Sequence, residues 1–366
     1  MNIIEFSGGT LRFLDEVPER APAEGFIWIY LDRESLEDSL AELQVAAQRL
    51  GGSPLLDLHA KDLNNAAHPS HYDATSVYDV VVFRRLATPE EIDAARGTAT
   101  GPATNGLSTF HRIDTRAVAF AIFDKLLITV HPAGCFAARS FVQRYLADAV
   151  QNDGLTVVTR SRLPTSPGDL MLRMVNMMVD SYLELRKQLS AEMDLWQQDL
   201  LNPQAKAANW NSLMVARSQL HSLEDLCEEQ NDAMQEWLDT AREQPPPGLS
   251  QADRDALVAR ARDVIEHIQR VVQQVRRMEQ GAESAVQIHF SAQSNRTNEI
   301  MRVLTALTAI FLPLNFITGF FGMNFTHLPL LGSVSGMWLM LLLMPAVVLL
   351  VGGVFWRKRY LARTGR

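Results

Sequence analysis

Two stretches without a single charged residue stand close together near the end of this chain. LTALTAIFLPLNFITGFF covers 304–321 and GMWLMLLLMPAVVLLVGGVFW covers 336–356, 18 and 21 residues. At ~1.5 Å of rise per helical residue, each is about long enough to cross a hydrocarbon layer of roughly 30 Å. A buried core helix is the alternative for one such run. Two of them, 14 residues apart, point instead to a membrane hairpin. The connecting GMNFTHLPLLGSVS has neither Lys nor Arg, whereas the following RKRYLARTGR has five, and Arg296 and Arg302 precede the first run. Basic residues favour the cytoplasmic side. Both termini are therefore expected in the cytoplasm, with the short loop outside.

Composition averages hide this segregation. The mean hydropathy of −0.04 is that of a soluble protein. The 34 Lys+Arg against 42 Asp+Glu give a net charge of −8, which argues against a nucleic-acid partner, whose binding face is basic. Cys135 and Cys227 form no CxxC pair and no disulfide framework, consistent with a reducing compartment. MNIIEFSGGTLRFLDEV lacks a basic stretch followed by an apolar one, so no cleaved leader is expected.

The rest of the chain divides in two. Residues 1–160 mix strand and helix signals and are expected to form an α/β cytoplasmic domain. FIWIYLD (26–32), VYDVVVFRRL (77–86) and AVAFAIFDKLLITVH (117–131) are rich in β-branched and aromatic residues and read as strands. Residues 35–52 and 140–151 read as helices, and glycine-rich 96–109 as a loop. No GxGxxG or GxxxxGK[ST] pattern marks a nucleotide site. His59, His68, His71, His111 and His131 lack ligand spacing and are expected to be ordinary surface or core residues. With no cofactor loop and no nucleophile–base set, neither an enzyme nor a resident cofactor is expected.

From 168 onward the pattern is helical. Segments 168–203 and 209–244 form an expected helical hairpin (168–247), closed by Pro245, Pro246 and Pro247. Residues 184–243 hold 12 Asp+Glu against 5 Lys+Arg. This is either a solvated face or an attractant for cations. No proline then occurs between Pro247 and Pro313. One long helix is expected, a stalk over 248–302 that continues into a first span at 303–321. An external loop at 322–335, a second span at 336–356 and a basic cytoplasmic tail at 357–366 follow.

One stripe on this helix carries chemistry. Steps of four and three give Gln273, Arg277, Gln280, Ser284, Gln287, Ser291, Ser294, Asn298, Met301, Thr305, Thr308, Leu312 and Asn315. A 3.5-residue repeat marks a supercoil seam, which is normally apolar. A solvent face explains the first part, but Thr305, Thr308 and Asn315 continue the same line at membrane depth, where polar groups are costly unless they face protein or water. One chain supplies one such helix, so a water-filled pore needs a ring of identical subunits. Amide, hydroxyl and carbonyl oxygens are hard donors suited to a hard, hydrated divalent cation such as Mg²⁺. Met301 and Leu312 supply apolar constrictions.

The segment TNEIMRVLTALTAIFLPLNFITGFFGMNF (297–325), with Gly322-Met323-Asn324 at its outer end, resembles the pore helix and GMN signature of the CorA family of divalent cation transporters. The resemblance implies a funnel-shaped homopentamer in the inner membrane. It implies an outer selectivity filter of Gly322, Met323 and Asn324, with Asn324 and Asn315 as oxygen ligands for the passing cation. It also implies a pore lined by Asn298, Met301, Leu304, Thr305, Thr308, Leu312 and Asn315, and a cytoplasmic basic ring of Arg357, Lys358 and Arg359. Two positions depart from the magnesium pattern. Leu330 stands where the outer loop usually carries an acid, and Gln287 where a cytoplasmic aspartate helps bind regulatory metal. Both departures resemble the zinc-transporting ZntB branch, although the intact GMNF and the missing glycine-rich loop do not. His327 is a borderline Zn²⁺ ligand in that reading. Mg²⁺, with Co²⁺ and Ni²⁺, is the favoured cargo. Zn²⁺, with proton coupling, is the alternative, and a non-conducting two-span scaffold is a more distant one.

Overall fold

The computed structural model describes residues 1–8, 10–89, 91–92, 113–133, 163–201, 210–323 and 334–357. The expected helix at 140–151 and loop at 96–109 lie outside the described residues, as do Cys135 and His111. Two compact units divide the chain, Met1–Glu283 and Ser284–Arg366.

The first unit is built on a seven-stranded sheet: β1 (Asn2–Ser7), β2 (Thr10–Leu14), β3 (Gly25–Asp32), β4 (His71–Ala74), β5 (Tyr78–Leu86), β6 (Thr115–Phe123) and β7 (Leu126–His131). The strand order is β2-β1-β3-β7-β6-β5-β4. All neighbours are antiparallel except β3 and β7, which pair in parallel from Ile27↔Leu126 to Asp32↔His131. The run read as one strand segment at 117–131 is a hairpin, because Asp124-Lys125 turns the chain between two apolar strands. Both β6 and β7 are buried on both faces, which explains their unbroken apolar character.

One face of the sheet is covered by α1 (Leu36–Ala46) and α2 (Asp57–Asn64). Their Leu36, Leu43, Ala46 and Leu63 pack with Ile27, Ile29, Val80, Val82, Ala119 and Ile128. A π-type turn, Ala47–Gly51, extends α1 until Gly52 leaves the helix at φ 87°. The opposite face carries α3 (Pro167–Leu201), which contacts β3, β5, β6 and β7, while α4 (Trp210–Glu243) lies against β4 and β5. Gly25 has a strict role at the start of β3. Its φ is +115°, and a Cβ there would sit 1.8 Å from the Phe6 carbonyl oxygen of β1, so only glycine fits.

A long helix, α5 (Gln251–Phe321), follows, and α6 (Val334–Arg357) closes the described chain. Within the first unit α5 buries Leu257, Ala261, Val264, Ile268, Val271, Val275, Met278 and Ala282. Their alternating steps of four and three form an apolar seam of 3.5-residue period. α5 is joined to α4 by Gln269 Nε2, which donates to Asn231 Oδ1 at 3.2 Å, and by Arg276, which pairs with Glu224 and Glu228. Gln273, Arg277 and Gln280 fall away from the seam and are exposed.

Candidate functional site: a polar stripe on an apolar helix

The second unit holds the membrane candidates. Two helical segments are long and apolar enough to cross a membrane, one in α5 and the other at Gly336–Phe355 of α6. Proline occurs inside both, at Pro313 and Pro345. Each lacks the N–H that would bond the carbonyl four residues back, so the carbonyls of Ala309 and Leu341 are released from the backbone ladder.

The residues singled out from the sequence share one face of α5. At ~100° per residue, Asn298, Met301, Leu304, Thr305, Thr308, Leu312 and Asn315 fall within a sector of roughly 120°, with Leu304 at its edge. All seven are exposed. The buried positions in this stretch, Ala306 at 5% and Ile317 at 8% exposure, project to the other side of the helix. The stripe is uncovered within this unit, as are Val303, Leu307, Phe311 and Phe316 beside it, so its polarity and not its exposure sets it apart. From Asn298 to Asn315 the stripe rises ~25 Å at 1.5 Å per residue.

Local hydrogen bonding sets what the stripe offers. Thr305 Oγ1 donates to the Met301 carbonyl at 2.7 Å, and Thr308 Oγ1 donates to the Leu304 carbonyl at 2.8 Å. Thr318 Oγ1 likewise donates to the Asn315 carbonyl at 3.1 Å. Each hydroxyl proton is spent on the helix, so each oxygen faces outward as an acceptor. The Asn315 and Asn298 side chains have no hydrogen-bond partner among the described residues. The stripe thus carries amide groups and hydroxyl oxygens between the apolar side chains of Met301, Leu304 and Leu312.

The C-terminal end of α5 is a tight stop. The Gly322 N–H donates to the Thr318 carbonyl at 2.9 Å and the Met323 N–H to the Phe320 carbonyl at 3.4 Å. A Cβ at Gly322 would lie 3.0 Å from the Thr318 oxygen, closer than side chains normally approach. Gly322 and Met323 are exposed. Asn324, His327 and Leu330 lie outside the described residues. Arg357 is exposed at the end of α6, and Lys358 and Arg359 lie beyond the described residues.

The acidic hairpin is partly neutralised by its neighbours. Glu224 and Glu228 share Arg276, Asp239 pairs with Arg242 at 3.4 Å, and Asp169 at the start of α3 holds Arg173 and Arg260. Histidine placement follows the core. His59 is buried between Tyr78 Oη at 2.8 Å and Asp73 Oδ2 at 2.9 Å. Burial, with Arg85 and Arg33 nearby, holds His131 down at about 3. His68 is half-buried and His71 exposed. The structure also brings together His221, Glu224 and Glu279, a grouping that the sequence reading missed. The His-x-x-Glu spacing on α4 was visible in the sequence; the third member comes from α5.

Comparison with known proteins places this architecture. A sequence model described as "CorA-like Mg2+ transporter protein" matches residues 23–359. The chain is 26% identical over 192 residues to the cobalt/magnesium transport protein CorA of Thermotoga maritima, covering 52% of each sequence. It is 36% identical over 78 residues to the protein of the same name from Methanocaldococcus jannaschii, covering 25% of that sequence. The matched regions thus span about half or less of these curated relatives. In structure, the complete CorA magnesium transporter from Methanocaldococcus jannaschii aligns with TM-score 0.71 at 18% identity, over 100% of this chain and 98% of that one. Full-length CmaX aligns with TM-score 0.63 at 17% identity, over 98% of this chain and 97% of that one. These structural likenesses speak to fold: a sheet domain, long helices and C-terminal apolar helices. With the family match running from β3 to the end of α6, the chain belongs to the CorA family.

Proposed function

We propose that this chain forms a homopentameric pore that carries divalent metal cations across the inner membrane, with both termini in the cytoplasm. The observation that carries the reading is that Thr305, Thr308 and Asn315 continue one face of α5 through the charge-free run 304–321, with Asn298 on the same face before it. In a ring of five chains, each stripe faces the axis and meets its copies across water. Hydroxyl oxygens of Thr305 and Thr308 and the amide oxygen of Asn315 then contact the hydration shell of a passing ion. Mg²⁺ surrenders its water reluctantly, so a ring of outward-facing acceptors that bonds the shell, rather than stripping it, suits that ion. Met301, Leu304 and Leu312 make apolar collars that close the pore by dewetting.

At the outer end, Asn324 of the Gly322-Met323-Asn324 signature supplies the filter oxygens. At the inner end, Arg357, Lys358 and Arg359 form the basic ring. Mg²⁺, with Co²⁺ and Ni²⁺, is the proposed cargo. Zn²⁺ is the second reading, favoured by Gln287 and Leu330 at positions where magnesium-type relatives carry acids.

Purified protein in proteoliposomes tests the proposal. Uptake of Mg²⁺, Co²⁺, Ni²⁺ and Zn²⁺ is compared with and without a pH gradient, for the wild type and Asn324→Ala. Selective uptake that N324A abolishes or makes unselective supports the pore and its filter. Uptake unchanged by N324A removes the filter assignment. A monomer or dimer by native mass spectrometry with no flux favours a non-conducting scaffold, and Zn²⁺ uptake driven by the pH gradient favours the second reading.

A further inference from the structure

We propose that His221, Glu224 and Glu279 form a binding site for a transition-metal ion such as Zn²⁺, bridging α4 and α5 in the first unit. The site uses none of the pore residues, so it stands whether or not the chain conducts. His221 and Glu224 are three residues apart on α4 and therefore share a face. Glu279 reaches them from α5. One imidazole nitrogen and one carboxylate oxygen from each glutamate lie within 4.8 Å of one another. Donors in a tetrahedral zinc site stand roughly 3.4 Å apart, given metal–donor distances of 2.0–2.2 Å. Rotation of these long side chains covers the difference.

The surroundings favour a cation there. Glu279 is half-buried and has neither ion pair nor hydrogen bond among the described residues, an unfavourable arrangement for a charged group without a partner. Arg276 bonds Glu224 at 2.5 Å and also pairs with Glu228. One guanidinium thus serves two carboxylates, and Glu279 remains uncompensated. Asp225 Oδ2 lies 3.9 Å from His221 Nε2, adding a further negative charge beside the imidazole.

The donor set defines the ion. Two carboxylates alone would be a generic acidic surface. The imidazole adds a nitrogen donor that suits Zn²⁺, Co²⁺ or Ni²⁺ and offers little to Mg²⁺. Three protein donors leave a fourth position for water. Bound metal ties α4 to α5 one turn from the Arg276 pairs, and so reinforces the contact between the hairpin and the long helix.

The test is Zn²⁺ binding to the metal-free, detergent-purified full chain by isothermal titration, with metal content read after dialysis in excess Mg²⁺. His221→Ala and Glu279→Gln are each expected to lose one Zn²⁺ per chain, or to bind it at least ~10-fold more weakly, since loss of even an outer partner costs 10–100-fold. His221 is exposed and the two glutamates are half-buried, and circular dichroism confirms that the variants fold. Arg276→Gln releases Glu224 and is expected to tighten the same site. Zn²⁺ stoichiometry and affinity equal to wild type in both H221A and E279Q overturn the proposal, as does displacement of the ion by Mg²⁺ at equal concentration.

Discussion

Thr305 Oγ1 donates its hydrogen to the carbonyl of Met301 at 2.7 Å, one turn back along α5. This bond decides which part of the hydroxyl faces outward. The proton is committed to the backbone, so the oxygen lone pairs are what the stripe presents outward. Thr308 repeats the arrangement with Leu304 at 2.8 Å.

Replacing both threonines with the isosteric valine tests this directly. The double variant T305V/T308V is expected to fold and assemble, because valine fits a helix inside a membrane and no tertiary bond is lost. Cation flux is expected to fall roughly tenfold, the equivalent of ~1.4 kcal/mol, about what a hydrogen bond involving a charged species is worth. Flux in proteoliposomes at equal reconstitution provides the measurement.

Asn315 is the last polar side chain of the stripe toward the C-terminal end of α5. Asn315→Leu is expected to abolish flux, by closing the ring with another apolar collar. Asn315→Gln retains the amide and is expected to keep measurable flux with altered ion preference. Equal flux in N315L and wild type would remove Asn315 from the pathway.

The carbonyl of Arg84 on β5 is clamped twice, by Tyr182 Oη and by Gln230 Nε2, each donating at 2.7 Å. These bonds fasten α3 and α4 to the sheet. Tyr182 is fully buried, and burial holds its hydroxyl far above the ordinary range. Tyr182→Phe is expected to cost about 1–2 kcal/mol, the usual net value of one buried hydrogen bond plus a partly unpaired acceptor. Denaturant unfolding of the purified chain reads the loss.

Two titratable groups in the first unit set opposite pH dependences. Burial, with Asp124 adding its charge, lifts Asp79 to about 6 from 3.8. Its contribution to stability is complete below pH 3.8 and is lost as pH rises through 6. His131, held down at about 3 from 6.5, has the reverse effect: its contribution is complete above pH 6.5 and is lost progressively as pH falls toward 3. Asp79→Asn is therefore expected to stabilise the protein at pH 7.5 by roughly 1–2 kcal/mol, with the gain vanishing near pH 4. Melting temperatures across that range give the sign at each end.

Gly25→Ala is expected to destabilise the first unit by about 2–4 kcal/mol, as for other substitutions at strained, close-packed positions. The added methyl collides with the Phe6 carbonyl across the β1–β3 pair. Loss of melting temperature without change in the helical signal of the second unit is the expected result.

The sequence alone determined the elements whose signal is local. Charge-free runs at 304–321 and 336–356 became parts of α5 and α6, because apolar length needs no distant partner to be recognised. The periodic segments from 168 onward became α3, α4 and α5 for the same reason. The stripe from Asn298 to Asn315 could be counted off at 3.5 residues per step, since a helix fixes which residues share a face. The short strands β1, β2 and β4 were not legible. Their four to six residues gain stability from pairing, β2 with β1, β1 with β3 and β4 with β5, not from their own pattern. Tertiary structure also decided that Asp124-Lys125 splits one apolar run into two paired strands. Above all, it brought Glu279 beside His221 and Glu224, because that meeting depends on how α5 packs against α4, and no local spacing records it.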